Sequence, residues 1–157
     1  MKKVIFLDRD GVINREVGDY VFNKADFKFN IGLSEALQNF SSKGYSFAIV
    51  TNQGGISKKI YGHDEVKKIN KMLRIWFKEN HLNLLEIMYC PHHPLVESCI
   101  CRKPNSGMIE RILAKHKISI DESFLIGDQL SDIVAAEKLG LKAILIKSNS
   151  NLNIIQC

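Results

Sequence analysis

Asp8 and Asp10 close an apolar run, Val4-Ile5-Phe6-Leu7, with two carboxylates spaced two residues apart. Side chains at i and i+2 of an extended segment leave it on the same side, so both acids can face one reaction centre beyond the strand's carboxyl end. Like-charge repulsion makes such a pair costly unless a cation, a proton or a basic neighbour relieves it. Gly11 follows, a residue that lets the backbone turn away sharply. Phosphoryl transfer suits this arrangement, because it needs a nucleophile attacking in line and a metal that neutralises nucleophile and phosphoryl oxygens together. Asp8 fits the nucleophile, whose aspartyl-phosphate divides one hard hydrolysis into two easier steps. Asp10 fits the general acid that protonates the leaving oxygen and then the base that activates water.

Further polar clusters also follow apolar runs. Asp128 comes after Phe124-Leu125-Ile126-Gly127, and Mg²⁺ suits an all-oxygen site completed by water and substrate phosphate. Asp132, one helical turn on, is either a second acid of that site or a first-turn charge favourable to the helix dipole. Thr51 and Asn52 end another apolar run, where a hydroxyl and a backbone N–H can hold a phosphoryl group or cap the next helix. Arg102 and Lys103 precede Pro104, as phosphate ligands or as a solvated basic pair. Between these, Cys90-Pro91-His92-His93 and Cys99-Ile100-Cys101 supply the ligand pairs C-x-H and C-x-C. Three thiolates and one imidazole make a closed tetrahedral zinc site with no open position for substrate, so such a zinc is structural and pins the loop leading to Arg102 and Lys103.

The elements that must carry these groups read as an alternation. Runs 4–7, 45–50, 87–90, 124–126 and 143–146 are strand-like, and segments 33–40, 64–80, 106–116 and 132–139 have helical periodicity. Such alternation predicts an α/β fold, a doubly wound, Rossmann-like parallel sheet with helices on both faces and ligands bound outside the carboxyl ends of the strands. Residues 1–157 are expected to form a single domain, with 147–157, rich in Ser and Asn, as a loosely held tail.

The ordered motifs resemble the haloacid dehalogenase (HAD) superfamily of aspartate-nucleophile phosphotransferases. More closely, Leu7-Asp8-Arg9-Asp10-Gly11, Thr51-Asn52-Gln53, Cys90-Pro91-His92-His93-Pro94, Cys101-Arg102-Lys103-Pro104 and Ile126-Gly127-Asp128 resemble its D-glycero-D-manno-heptose 1,7-bisphosphate phosphatase family. The phosphatase domain of histidinol-phosphate phosphatases is similar to the same motifs, and a polynucleotide 3′-phosphatase or a phosphoacceptor domain are more distant readings. The resemblance implies removal of the C7 phosphate from the heptose bisphosphate, for ADP-heptose and surface polysaccharide (lipopolysaccharide core) synthesis. It implies Mg²⁺ held by Asp8, Asp128 and the backbone carbonyl of Asp10. Phosphate or substrate contacts fall to Thr51, Asn52, Arg102 and Lys103, and zinc ligation to Cys90, His92, Cys99 and Cys101, with His92 and not His93 as the imidazole. Gln129 departs from the basic residue often found after the aspartate.

Only about 40 residues separate Asp10 from Thr51, enough for a loop and one helix but little for a cap domain, so a capless, open site is expected. Gly18-Asp19-Tyr20-Val21-Phe22 and the cysteine-rich loop would then select the substrate, with Tyr20 either a contact or packing. Lys67, Lys71, Arg74 and Lys78 form a basic helical stripe, either a solvated face or a track for a nucleic-acid backbone; no aromatic stacking pattern accompanies them, and nucleic acid is not the expected partner. The net charge of +5 is compatible with a small phosphorylated sugar as substrate. The four apolar residues before Asp8 are too few for a signal-peptide core and no later run approaches a membrane span, so a cytoplasmic monomer is the default expectation.

Overall fold

The computed structural model describes residues 1–155. Five strands, β1 (Lys3–Leu7), β2 (Tyr45–Asn52), β3 (Leu84–Cys90), β4 (Phe124–Gly127) and β5 (Lys142–Leu145), pair in parallel in the order β3-β2-β1-β4-β5. Helices α1 (Leu33–Ser42), α2 (His63–Glu79), α3 (Gly107–Lys115) and α4 (Leu130–Glu137) form the crossovers. The β1 run is apolar throughout because both faces are covered. Ile5 and Leu7 pack on one face with Leu37 and Phe40 of α1 and Ile69, Leu73 and Phe77 of α2. Val4 and Phe6 pack on the other with Met108, Ile109 and Ile112 of α3 and Ala135 and Ala136 of α4. This is the doubly wound arrangement the alternating pattern predicts.

Strand order decides where chemistry can sit. From β1 the chain winds outward through β2 to β3, then returns to place β4 on β1's other side, so the order reverses between β1 and β4. A crevice opens at that switch point beyond the strands' carboxyl ends. Leu7 pairs with Ile126, and the Asp8 N–H donates to the Ile126 carbonyl at 3.0 Å, which brings Asp8 and Asp128 to neighbouring strand ends. Between β1 and α1, residues 8–32 form irregular turns and isolated bridges.

The expectation of a loosely held tail from residue 147 needs correction. Leu152, in a short 3₁₀ turn (Leu152–Ile154), is fully buried, and Ile155 joins the core beside α1. The Ser and Asn residues that suggest a solvated tail instead satisfy turns: the Asn151 Oδ1 accepts from the Asn153 N–H at 2.9 Å. Cys157 lies outside the described residues. Among the described residues, no helix is long and apolar enough to cross a membrane.

Candidate active site

Asp8 leaves the end of β1 on the face of Val4 and Phe6, toward the entries to α3 and α4. Lys103, in the loop before α3, meets it there. Its Nζ donates to Asp8 Oδ1 and to the Val50 carbonyl, each at 2.8 Å, and forms an ion pair with Asp132 Oδ1 at 2.5 Å. Asp8, Lys103 and Asp132 are all buried. Burial pushes the Asp8 carboxyl up to about 7, a rise that Asp132 and Asp10 add to and the Lys103 ammonium opposes. Burial also works against the Lys103 ammonium, but Asp8 and Asp132 outweigh it and hold its pKa above the usual value. Asn52, the last residue of β2, fixes this lysine: its Nδ2 donates to the Lys103 carbonyl at 3.1 Å, and its Oδ1 accepts from the Lys103 N–H at 3.0 Å.

Asp128 completes the oxygen cluster. Single ligand atoms of Asp8, Asp128 and Asp132 all lie within 4.8 Å of one another. Among the described residues, Asp128 Oδ1 is buried without a hydrogen-bond partner, as is the nearby Ser148 Oγ. An orphaned carboxylate oxygen beside two further carboxylates is a donor set suited to a hard divalent cation, and Mg²⁺ fits it. Gly11 is obligatory at this point: its φ is +89°, and a Cβ there would stand 2.2 Å from Asp128 Oδ2. These acids, with Asn52, Arg102 and Gln129, open on a cavity of about 290 Å³.

The Asp10 carboxylate turns to a different set of partners. Its Oδ1 accepts from Arg9 Nη2 at 2.9 Å, Arg9 Nε at 3.3 Å and Asn14 Nδ2 at 2.9 Å, and its Oδ2 accepts from Gln53 Nε2 at 3.0 Å. Arg9 is fully buried; its Nη2 also donates to the Val21 carbonyl at 2.6 Å, and its guanidinium faces the Phe27 ring. Thr51 is buried behind Gln53, whose Nε2 donates to its Oγ1 at 2.9 Å.

The cysteine-rich loop gathers its ligands at the end of β3. Cys90 Sγ lies 3.1 Å from Cys101 Sγ and 3.6 Å from Cys99 Sγ, and His92 Nδ1 lies 3.5 Å from Cys90 Sγ and 3.3 Å from Cys101 Sγ. Spokes of ~2.3 Å from a tetrahedral zinc put sulfurs ~3.8 Å apart, so the four atoms are already near the required spacing. His93 points elsewhere and accepts from the Leu95 N–H at 3.2 Å. Burial pushes the Cys90 thiol up; at Cys99 burial also raises the pKa, but the Arg102 N–H donated to its Sγ at 3.3 Å and the hydrogen bonds with Cys101 and Cys90 together outweigh it and bring Cys99 down to about 7. Arg102 is tied to the loop twice, because its Nη1 also donates to the His92 carbonyl at 2.9 Å.

A HAD-hydrolase-like family profile matches residues 100–153. The D-glycero-alpha-D-manno-heptose-1,7-bisphosphate 7-phosphatase of Photorhabdus laumondii subsp. laumondii is 39% identical over 153 residues, covering 93% of this chain and 83% of its own. The D-glycero-beta-D-manno-heptose-1,7-bisphosphate 7-phosphatase of Helicobacter pylori is 41% identical over 155 residues, covering 98% and 84%. The chain belongs to this family of HAD-like phosphatases. A solved D,D-heptose 1,7-bisphosphate phosphatase from B. bronchiseptica, complexed with magnesium and phosphate, superposes with a TM-score of 0.85 at 26% identity over 97% of this chain and 84% of that one.

Within this family member the fold brings Asp8, Asn52, Arg102, Lys103 and Asp128 around one cavity and keeps Thr51 behind it. Asp132 is fully buried; besides its lysine contact, its Oδ2 accepts from the Gln129 N–H at 3.1 Å and caps α4. The helix-start reading of Asp132 therefore holds, and its link to Lys103 is additional. Gln129 places a neutral amide 3.4 Å from Asp128 Oδ2. Tyr20 packs edge-on against Tyr61 under the Lys58 ammonium. The basic stripe is a solvated face of α2, with Arg74 paired to Glu86. Sequence reasoning missed the roles of Arg9, Gln53, Tyr61 and Asn149. The Asn149 side chain bonds both backbone polar groups of Glu16, at 2.7 and 2.8 Å, and its N–H donates to the Gly11 carbonyl, bracing the loop at the cavity mouth. The only advance signal was position: Gln53 follows the strand-end pair Thr51-Asn52, and Arg9 stands between two acids.

Proposed function

We propose that this chain hydrolyses the C7 phosphate of D-glycero-D-manno-heptose 1,7-bisphosphate to heptose 1-phosphate, a product suited to ADP-heptose and surface polysaccharide synthesis. The observation that carries the reading is Lys103 bridging Asp8 and Asp132 beside the unpartnered Asp128 oxygen, in a chain whose relatives bear this activity in their names. Asp8 attacks phosphorus, and the bond to the C7 oxygen breaks as Asp10 gives that oxygen a proton. Asp10 then takes a proton from water, whose oxygen attacks the aspartyl-phosphate, releasing inorganic phosphate and restoring Asp8. Asp8, Asp128 and the Asp10 carbonyl would hold Mg²⁺, which would supply charge neutralisation for the transferring phosphoryl group.

Lys103 opposes the rise that burial imposes on the Asp8 carboxyl and sets a positive charge against the phosphoryl group, and Asn52 keeps Lys103 in place. Thr51 supports the phosphoryl site from behind. Arg102 faces the cavity from the cysteine-rich loop and grips the second phosphate or another polar group of the sugar. A structural zinc on Cys90, His92, Cys99 and Cys101 fixes that loop, and with no cap domain the loop and residues 18–22 select the substrate. The test compares kcat/KM for both anomers of heptose 1,7-bisphosphate, histidinol phosphate and a 3′-phosphorylated oligonucleotide. A heptose bisphosphate is expected to lead by at least about tenfold; preference for either of the other two overturns the substrate assignment.

A further inference from the structure

Gln53 sits between the candidate acid/base and two groups that hold its own amide still. One Nε2 contact goes to Asp10 Oδ2 at 3.0 Å and another to Thr51 Oγ1 at 2.9 Å, while Oε1 accepts from the Tyr61 hydroxyl at 2.6 Å. Gln53 and Tyr61 are both buried. An amide has two N–H donors, and both are used; reversing it would set a carbonyl oxygen against the Asp10 carboxylate. Tyr61 is held in turn by a stacked Phe22 ring with centroids 5.0 Å apart and by Gly55, where a Cβ would stand 2.2 Å from the Tyr61 ring.

The two oxygens of Asp10 are not equivalent. Oδ1 accepts from three N–H groups, two of Arg9 and one of Asn14, which leaves it little room for a reacting proton. Among the described residues Oδ2 accepts from Gln53 alone, so it keeps a lone pair for the proton that passes to and from substrate. The same Gln53 N–H can stay bonded to Oδ2 whether that oxygen carries the proton or not, because a hydroxyl oxygen still accepts.

We propose that Gln53 is a positioning residue for the reaction, aiming Asp10 Oδ2 at the leaving oxygen, and that Tyr61 and Thr51 fix the amide for that task. The inference rests on the reading of Asp10 as acid/base. It also links the substrate-side loop to proton transfer, since Tyr20 and Phe22 pack on the tyrosine that orients Gln53.

The experiment uses the full chain with saturating Mg²⁺ and two substrates. Heptose 1,7-bisphosphate expels an alkoxide and needs the proton, whereas p-nitrophenyl phosphate expels a stable phenolate and does not. The constant kcat/KM reports events through leaving-group departure, so the later attack of water does not blur it. Gln53→Ala is expected to lower kcat/KM for the sugar bisphosphate by about 10- to 100-fold, with p-nitrophenyl phosphate changed by less than about threefold. Tyr61→Phe shifts the same ratio by a few-fold, and adding it to Gln53→Ala has no further effect, as a shared chain of contacts requires. Should Gln53→Ala unfold, Gln53→Glu and Tyr61→Phe carry the comparison, the former with the larger selective loss. Equal losses on both substrates, or no loss, overturn the proposal. Asp10→Asn separates the two readings: if it leaves the substrate ratio unchanged, the acid/base role fails; if it collapses the ratio while the Gln53 variants do not, only the Gln53 role fails.

Discussion

The carboxylate cluster and the cysteine-rich loop sit side by side at the carboxyl end of one sheet, yet they are built in opposite ways. The four sulfur and nitrogen ligands come from twelve consecutive positions, 90–101, and need only a strand end and a return loop to meet. Asp8, Lys103, Asp128 and Asp132 come from three separate strand-to-helix junctions, and the Lys103–Asp8 contact alone spans 95 residues. The soft cluster closes on itself, whereas the hard one lines a cavity and holds a buried oxygen with no hydrogen-bond partner among the described residues. A local closed site suits a structural ion and a dispersed open one suits chemistry, because only the second has donors left for substrate. Arg102 joins the two, with its backbone N–H on Cys99 and its side chain on the His92 carbonyl.

The largest expected effect breaks one side alone. Asp8→Asn should lower kcat by about 10⁴-fold or more, while zinc measured by atomic absorption stays bound; retained turnover would remove Asp8 as nucleophile. Lys103→Met strands two buried carboxylates without their cation, so urea denaturation should read a loss of about 3–5 kcal/mol, partly restored by adding Asp132→Asn. An unchanged midpoint would mean that the buried pair contributes nothing.

Cys101→Ser tests the other side: zinc content should fall and Tm drop by about 5–10 °C. Chelated wild-type protein should regain activity when Mg²⁺ and Zn²⁺ are both restored, and Cys101→Ser protein should not. If that variant keeps zinc and Tm, the ligand set is wrong.

A pH series sharpens the contrast. Burial raises the folded Asp8 carboxyl to about 7 against 3.8 for the free group, so between these values the folded chain holds a proton the unfolded chain has released. Without divalent cation, stability therefore falls as pH rises through this window. Mg²⁺ replaces that proton, so the Tm gained on adding it should be larger near pH ~8 than near pH ~5. A pH-independent gain contradicts the cation's placement on Asp8.

The smallest effect concerns the brace at the cavity mouth. Asn149 has φ +64° and two side-chain bonds to Glu16, so Asn149→Ala should cost about 1–2 kcal/mol in thermal melts, with Asn149→Gly costing less because glycine tolerates that φ. Equal losses in the two variants would show that backbone conformation plays no part.

Much of this was legible in the sequence where the signal is local. Continuous apolar runs identified the strands because a parallel sheet covered on both faces has no polar side. The strand-end carboxylates and the C-x-H and C-x-C pairs were readable for the same reason: spacing along the chain fixes direction over a few residues. Reading failed where a side chain's meaning depends on a distant partner. Leu152 and Ile155, in a segment that reads as a loosely held tail, are buried against the core.

By itself, the sequence determined the alternating α/β layering, the placement of acids after strands and the makeup of the cysteine cluster, all consequences of local periodicity and ligand spacing. Only the tertiary structure decided that Lys103 lies between Asp8 and Asp132, that Gln53 holds Asp10, that Asn149 braces the loop at Glu16 and that Leu152 and Ile155 join the core beside α1. Those contacts depend on strand order and helix packing, which bring together groups that no short stretch of chain can relate.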